Sequence, residues 1–219
     1  MSTNQEHAAV KPVWYASYGS NLKRERFMCY VKGGIPPGSA KRNKGCFRDK
    51  NDPIEFRQIS LNYELYFAGQ SGTWGNGGVA FIRGEGGHAL GRMYLITDEQ
   101  FNDVVMQENG ESPDGSRFVP AFNQLVSQSQ SILPGNPWYG KLLNIGSEGG
   151  WPILTFTTAR TDLLNPNAPA EQYVKVIASG IKETYPQMSD DDIAGYLDRA
   201  AGIRGNIDLA KIRDWVVVA

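Results

Sequence analysis

The chain has 219 residues, with 22 Lys and Arg against 23 Asp and Glu and a formal net charge of −1. This near-neutral balance gives no electrostatic case for nucleic acid or an anionic membrane as partner. No stretch approaches the ~20 apolar residues of a spanning helix, and the polar residues 1–11 lack the apolar segment of a signal peptide.

Residues 1–11 read as a flexible tail and 12–219 as one domain, long enough for a sizeable core. The 25 glycines and 12 prolines sit at the ends of short apolar runs and mark turns of a β-rich fold. In chain order, strands are predicted at 13–18, 63–69, 78–83, 88–96, 139–145 and 151–158. Helices are predicted at 21–32, 98–109, 169–185, 189–201 and 206–214. Strands fall mainly in the middle and helices late, which points to an α+β class rather than alternating βαβ units. The glycine clusters at 84–87 and 146–150 read as hairpin turns, since no helix follows either one. The long irregular segments 34–57 and 111–137 could cover a site or be plain insertions.

The first strand carries an aromatic-rich run, Trp14-Tyr15-Ala16-Ser17-Tyr18, that breaks at Gly19 and turns through Ser20-Asn21-Leu22 into a helix. Such a turn leaves several backbone N–H groups unpaired and able to hold a carboxylate or phosphate oxygen. It could equally be a tight connection with Ser20 or Asn21 as a cap.

The helix at 98–109 opens with a capping box, Thr97 and Gln100. Its apolar stripe is Phe101, Val104 and Val105, and the next position on that stripe is Glu108. A carboxylate facing a core is costly unless it is paired, protonated or beside a cavity. Desolvation would raise its pKa toward what a general acid/base needs near neutrality. The alternative is a last-turn Glu that escapes to solvent at Asn109-Gly110.

Other candidates are weaker. His7 and His88 have no Ser/Asp context for a triad. No His, Cys or Asp cluster has metal spacing, so no metal or cofactor is expected. Cys29 and Cys46 form no disulfide framework, and a reduced, cytoplasmic setting is the default expectation. Ser189-Asp190-Asp191-Asp192 is a cap with an acidic first turn. Trp74 and Tyr66 read as core aromatics that could line a pocket. Tyr173 is either a helix-face core residue or a hydroxyl donor to a ligand.

Tyr18-Gly19-Ser20-Asn21-Leu22 resembles the signature turn of the γ-glutamylcyclotransferase-like family. Three further blocks follow in that family's order. Trp74-Gly75-Asn76-Gly77-Gly78-Val79-Ala80-Phe81-Ile82 is similar to its Trp-Gly-Gly strand opening, with Asn76 extra or substituted. Leu90-Gly91-Arg92-Met93-Tyr94-Leu95-Ile96, a helix and then Gln107-Glu108 resemble the strand and helix that deliver its catalytic Glu. Ala168-Pro169-Ala170-Glu171-Gln172-Tyr173 is a fourth, weaker match. The resemblance runs from about residue 13 to about residue 185.

It implies a small mixed β-barrel with flanking helices. It also implies cyclotransfer on a γ-glutamyl amide, a lyase-type cleavage that releases 5-oxoproline and an amine without a cofactor. In that scheme Glu108 is the general acid/base, while Tyr18, Gly19, Ser20, Asn21, Leu22 and Tyr173 bind the small-molecule γ-glutamyl substrate. An amide hydrolase using Glu108 to activate water, and a non-catalytic γ-glutamyl-binding module, are the alternatives. Oligomeric state and the group attached to the γ-glutamyl moiety are not legible.

Overall fold

The computed structural model describes residues 10–37, 39, 41–114, 124–125 and 127–219. Most of the expected tail and the middle of the 111–137 segment lie outside these residues.

The elements are β1 (Pro12–Ser17), α1 (Arg24–Lys32), β2 (Glu55–Ser71), β3 (Gly77–Thr97), α2 (Asp98–Glu108), β4 (Gln130–Ile132), β5 (Lys141–Glu148), β6 (Trp151–Thr157), α3 (Glu171–Thr184), α4 (Asp190–Asp198) and α5 (Leu209–Val217). One mixed sheet has the order β2-β3-β1-β6-β5-β4. The central strand β1 runs antiparallel to β3 and parallel to β6. This is the expected α+β class.

The sheet is covered on both faces. Trp14, Ala16 and Tyr18 belong to one apolar cluster, with α3, α4 and α5, whereas Val13 and Tyr15 belong to another, with α1 and α2. That double burial is why β1 reads as a nearly continuous apolar run.

Several expectations are corrected. The sheet is not closed: β2 and β4 are its edges, so the implied barrel stays open. The strands predicted at 78–83 and 88–96 are one strand, β3. Gly84 and Gly86 adopt positive φ (55° and 93°) without reversing the chain. They sit opposite register shifts at Leu61/Tyr63 and Tyr63/Glu64, so the glycines form bulges that bend a long hairpin. β2 starts inside the segment read as irregular, and β4 lies inside the other. The helix predicted from residue 21 starts at Arg24, after a single 3-10 turn at Ser20–Leu22. The last helix lies about three residues later than its pattern indicated. The hairpin turn at 146–150 holds, with Glu148 opposite Trp151. The capping box at Thr97 forms, and the expected cap at Ser189 is itself a capping box closed by Asp192.

The face of α2 away from its apolar stripe carries Gln100, Asp103 and Gln107, and it is covered rather than exposed. The segment around residues 45–51 crosses it. Gln100 Nε2 donates to the carbonyls of Asp49 (3.3 Å) and Asn51 (3.0 Å). Asp103 Oδ2 accepts the Phe47 N–H at 2.7 Å, and Gln107 bridges Gly45 and Tyr30. Each buried polar side chain on this face thus meets a loop backbone group, which is how a polar face becomes a packed one. This cross-linking fixes the end of α2, where Glu108 sits.

α3 packs directly over the Ser20–Leu22 turn. A Cβ at Gly180 would lie 2.5 Å from Lys23 N and 2.6 Å from Leu22 C. Gly180→Ala should therefore destabilise the fold by roughly 1–3 kcal/mol, the usual cost of overpacking. The ~1 kcal/mol that Ala gains over Gly in a helix interior does not offset a clash with backbone. Denaturant midpoints measure this, and a variant within about 0.5 kcal/mol of wild type would show that α3 can shift away.

Among the described residues, no helix is long and apolar enough to cross a membrane, and no group of His, Cys, Asp and Glu is arranged to hold a metal ion.

Candidate functional site

β3 meets β1 only from Arg92 onward. Its first half therefore has one edge paired with β2 and one edge with no strand beside it. Buried backbone groups there still need partners, and side-chain hydroxyls supply them. Thr157 Oγ1 accepts the Ile82 N–H (3.1 Å) and donates to the Ile82 carbonyl (2.8 Å). The Tyr173 hydroxyl accepts the Ala80 N–H (3.1 Å), and the Tyr139 hydroxyl donates to the Ala80 carbonyl (3.2 Å).

The gap that these hydroxyls span is a recess of about 30 Å³, lined by the 17–21 turn, Tyr15, Ala80, Glu108, Tyr139, Phe156 and Tyr173. It adjoins an outer cavity of about 310 Å³ that shares Ser20, Glu108, Tyr139 and Tyr173 and adds Arg26, Tyr30, Lys41, Trp74, Asn109 and Trp138.

Glu108 ends α2 with its side chain turned to this cavity. Asn21 Nδ2 donates to its Oε1 at 2.7 Å and also contacts the Tyr15 hydroxyl at 3.3 Å. The Tyr30 hydroxyl is a further hydrogen-bond partner of the carboxylate. Burial raises the Glu108 pKa above the ordinary carboxylate value, opposed first by the Arg26 charge and then by Asn21, Tyr30 and Lys41. Desolvation wins, but the partners keep the ionised form accessible. The carboxylate also pushes up Tyr30, whose main cause of shift is its own burial.

The predicted turn residues divide into those that face the cavity and those that do not. Tyr18, Gly19, Ser20 and Asn21 line the recess. Leu22 does not: its side chain is 1% exposed, inside the larger apolar cluster, and its N–H donates to the Gly19 carbonyl at 3.0 Å. The 3-10 turn consumes that donor, so Leu22 has neither side chain nor N–H to offer a ligand. No protein acceptor among the described residues takes up the N–H groups of Ser20 and Asn21, as expected for the start of a helical turn. The Tyr18 hydroxyl is already committed, donating to the Phe156 carbonyl at 2.7 Å. At Gly19 a Cβ would come within 3.3 Å of Ala80 Cβ and 3.4 Å of the Tyr173 hydroxyl, so a side chain there would narrow the recess.

Tyr173 fits both of its sequence readings. It is buried, with its ring 4.7 Å from Trp74 and edge-on to Phe67. Its hydroxyl, pushed up to about 12 chiefly by burial, accepts from Ala80 and has the Ser20 side chain as a second hydrogen-bond partner. Trp74 also serves both readings, as a buried residue that lines the outer cavity, whereas Tyr66 is buried against Phe81 and is absent from the walls of both chambers.

Sequence reasoning missed Arg26, Tyr30 and Tyr139. Arg26 carried a signal of the kind that marked Glu108. Leu22, Arg26 and Tyr30 are spaced by four and share one flank, so a charge stands between two buried residues. Tyr139 sits at the start of a predicted strand and carried no such mark.

No family model matches the chain. It is 37% identical over 205 residues to histone deacetylase 5 of Arabidopsis thaliana, a match covering 86% of this chain. The chain spans about 30% of the length of that curated relative. Among solved structures it is similar to a γ-glutamyl cyclotransferase, the family its motifs resemble, at 16% identity and a TM-score of 0.48, covering 95% of this chain and 100% of that one. It is also similar to an uncharacterized protein from Homo sapiens (17% identity, TM-score 0.49, 94% and 98% of the two chains). A third likeness is to YkqA from Bacillus subtilis (17% identity, TM-score 0.48, 86% of this chain and 54% of that one). The cavity's own residues, rather than these likenesses, carry the function proposed below.

Proposed function

We propose that the chain is a γ-glutamyl cyclotransferase that releases 5-oxoproline and an amine from a γ-glutamyl amide, with Glu108 as general acid/base. The observation that carries this is the Glu108 carboxylate, half-buried at a cavity wall and held at 2.7 Å by Asn21 of the glycine turn.

The chemistry needs little else. The substrate's free α-amine, with a pKa of about 8, is largely protonated at neutral pH and must lose a proton to become a nucleophile. Glu108 takes it. The nitrogen attacks the γ-carbonyl carbon, a five-membered ring closes, and negative charge gathers on the carbonyl oxygen. The free N–H groups of Ser20 and Asn21 are suited to that charge. Collapse of the intermediate breaks the amide C–N bond, Glu108 returns its proton to the departing amine, and the ring nitrogen sheds its remaining extra proton to water or to the released amine, leaving the neutral lactam of 5-oxoproline. Nucleophile and electrophile belong to one molecule, so folding the substrate in the cavity supplies much of the rate. The Tyr173 hydroxyl, at the wall of both chambers and hydrogen-bonded to Ser20, is placed to hydrogen-bond the substrate.

Incubating the purified protein with glutathione, γ-glutamyl dipeptides and γ-glutamylamines should produce 5-oxoproline, read by mass spectrometry, from at least one of them. Free glutamate in its place would make the protein an amide hydrolase. Saturable binding with no product would make it a binding module.

A further inference from the structure

Arg26 is buried, at 5% exposure, and lines the outer cavity. Its Nε donates to Ser20 Oγ at 2.9 Å, and its guanidinium lies 4.8 Å above the Trp74 ring. These two contacts pin it between the glycine turn and the β2–β3 connection. Neither contact is an anion. Its Nη1 is shut off from water and has no acceptor among the described residues.

A buried guanidinium with an unmet N–H is expensive to keep unless something negative shares its surroundings. The charged groups lining the two chambers, among the described residues, are Arg26, Lys41 and Glu108. Cations therefore outnumber the carboxylate even when Glu108 is ionised, and the excess grows when Glu108 carries a proton. Low-dielectric walls concentrate such a field on whatever enters.

We propose that the cavity selects a carboxylate-bearing ligand and that Arg26 is the specificity-determining residue, pairing with the α-carboxylate of the γ-glutamyl group beside the Ser20 turn. The identity of that carboxylate rests on the cyclotransferase proposal; the preference for an anion rests on the charges alone. An arginine suits the role better than a lysine, since its planar fork can hold Ser20 through one nitrogen and a carboxylate through another. The aromatic face of Trp74 fixes the plane of that fork.

The test compares two rings of equal shape, 5-oxoproline and 2-pyrrolidinone, which differ only in the carboxylate, titrated by ligand-observed NMR. Wild type should bind 5-oxoproline at least ~10-fold more tightly, the effect of one charge-assisted contact of about 1.4 kcal/mol. In Arg26→Gln this preference should collapse, through loss of 5-oxoproline affinity with 2-pyrrolidinone unchanged. Arg26→Lys should keep an intermediate preference. Equal affinity of wild type for the two rings, or binding of neither, overturns the proposal without recourse to any variant, so a misfolded Arg26→Gln does not shelter it. An unchanged preference in a folded Arg26→Gln also overturns it. Tight 5-oxoproline binding that depends on Arg26, with no turnover of any γ-glutamyl amide, would instead sink the cyclotransferase proposal and leave the anion selection standing.

Discussion

Glu108→Gln is expected to fold and to lose turnover by at least ~10²-fold, the low end of what general acid–base groups contribute. Gln is nearly isosteric but cannot accept the ammonium proton. Since burial raises the Glu108 pKa, the wild-type rate should rise with pH through a value above the ordinary carboxylate range, and the variant should lack that limb. Stability should move in a linked way. A carboxyl whose folded pKa lies above its unfolded value binds more protons in the native state between the two values. Its favourable contribution is present below the unfolded pKa of about 4.3 and is lost as pH rises through the folded pKa. Glu108→Gln removes the burial of a charge, so it should be at least as stable as wild type at about pH 8, with wild type gaining relative to it as pH falls toward 4. Near-normal turnover in Glu108→Gln would assign the base to another group. Denaturant midpoints that differ by the same amount at both pH values would show that the carboxyl is not perturbed by folding.

A γ-glutamyl amide whose α-amine is acetylated should be inert, with turnover at least ~10³-fold below that of the free amine. The estimate follows from the chemistry of the nucleophile: an amide nitrogen has no basic lone pair, and the advantage of an attached amine is lost entirely. Among the described residues no His or Cys lines either chamber and the Ser20 hydroxyl is engaged by Arg26, so no side-chain nucleophile is paired with a His or Cys partner there to replace it. Assaying the released amine from both compounds decides the matter. Release from the acetylated compound at a comparable rate would mean that water is the nucleophile, with Glu108 still a base but the enzyme a hydrolase.

The parts of the molecule that were legible in its sequence are those written over short distances. A helix of eleven residues with a capping box and an apolar stripe fixes its own phase, and that phase put Glu108 on the core-facing stripe while leaving open its escape to solvent at the helix end. The break at Gly19 likewise announced a strand-to-helix turn. The glycines of β3 misled for the same local reason. A bulge and a hairpin turn both ask for positive φ, and only the partner strand, continuous through Tyr63↔Glu85, distinguishes them.

Burial by a distant segment was not legible. Gln100 and Asp103 sit on a face that looks solvated until residues 47–51 cover it. Leu22 was grouped with the binding turn because it is contiguous with it, yet α3, more than 150 residues away in sequence, presses that residue into the core through the bare backbone of Gly180.

The sequence by itself determined the α+β class, from the order of its periodic segments, and the capped helix that carries Glu108 and the strand-to-helix break at Gly19, because these last two depend on residues within one or two helical turns of one another. Only the tertiary structure decided that the sheet stays open, that the hydroxyls of Tyr139, Thr157 and Tyr173 fill the unpaired edge of β3, and that Arg26 stands in the cavity wall with no anion hydrogen-bonded to it among the described residues. The hydroxyl contacts among them join residues up to 93 positions apart. No local periodicity encodes which buried backbone group or charge will be left needing a partner once the strands have paired.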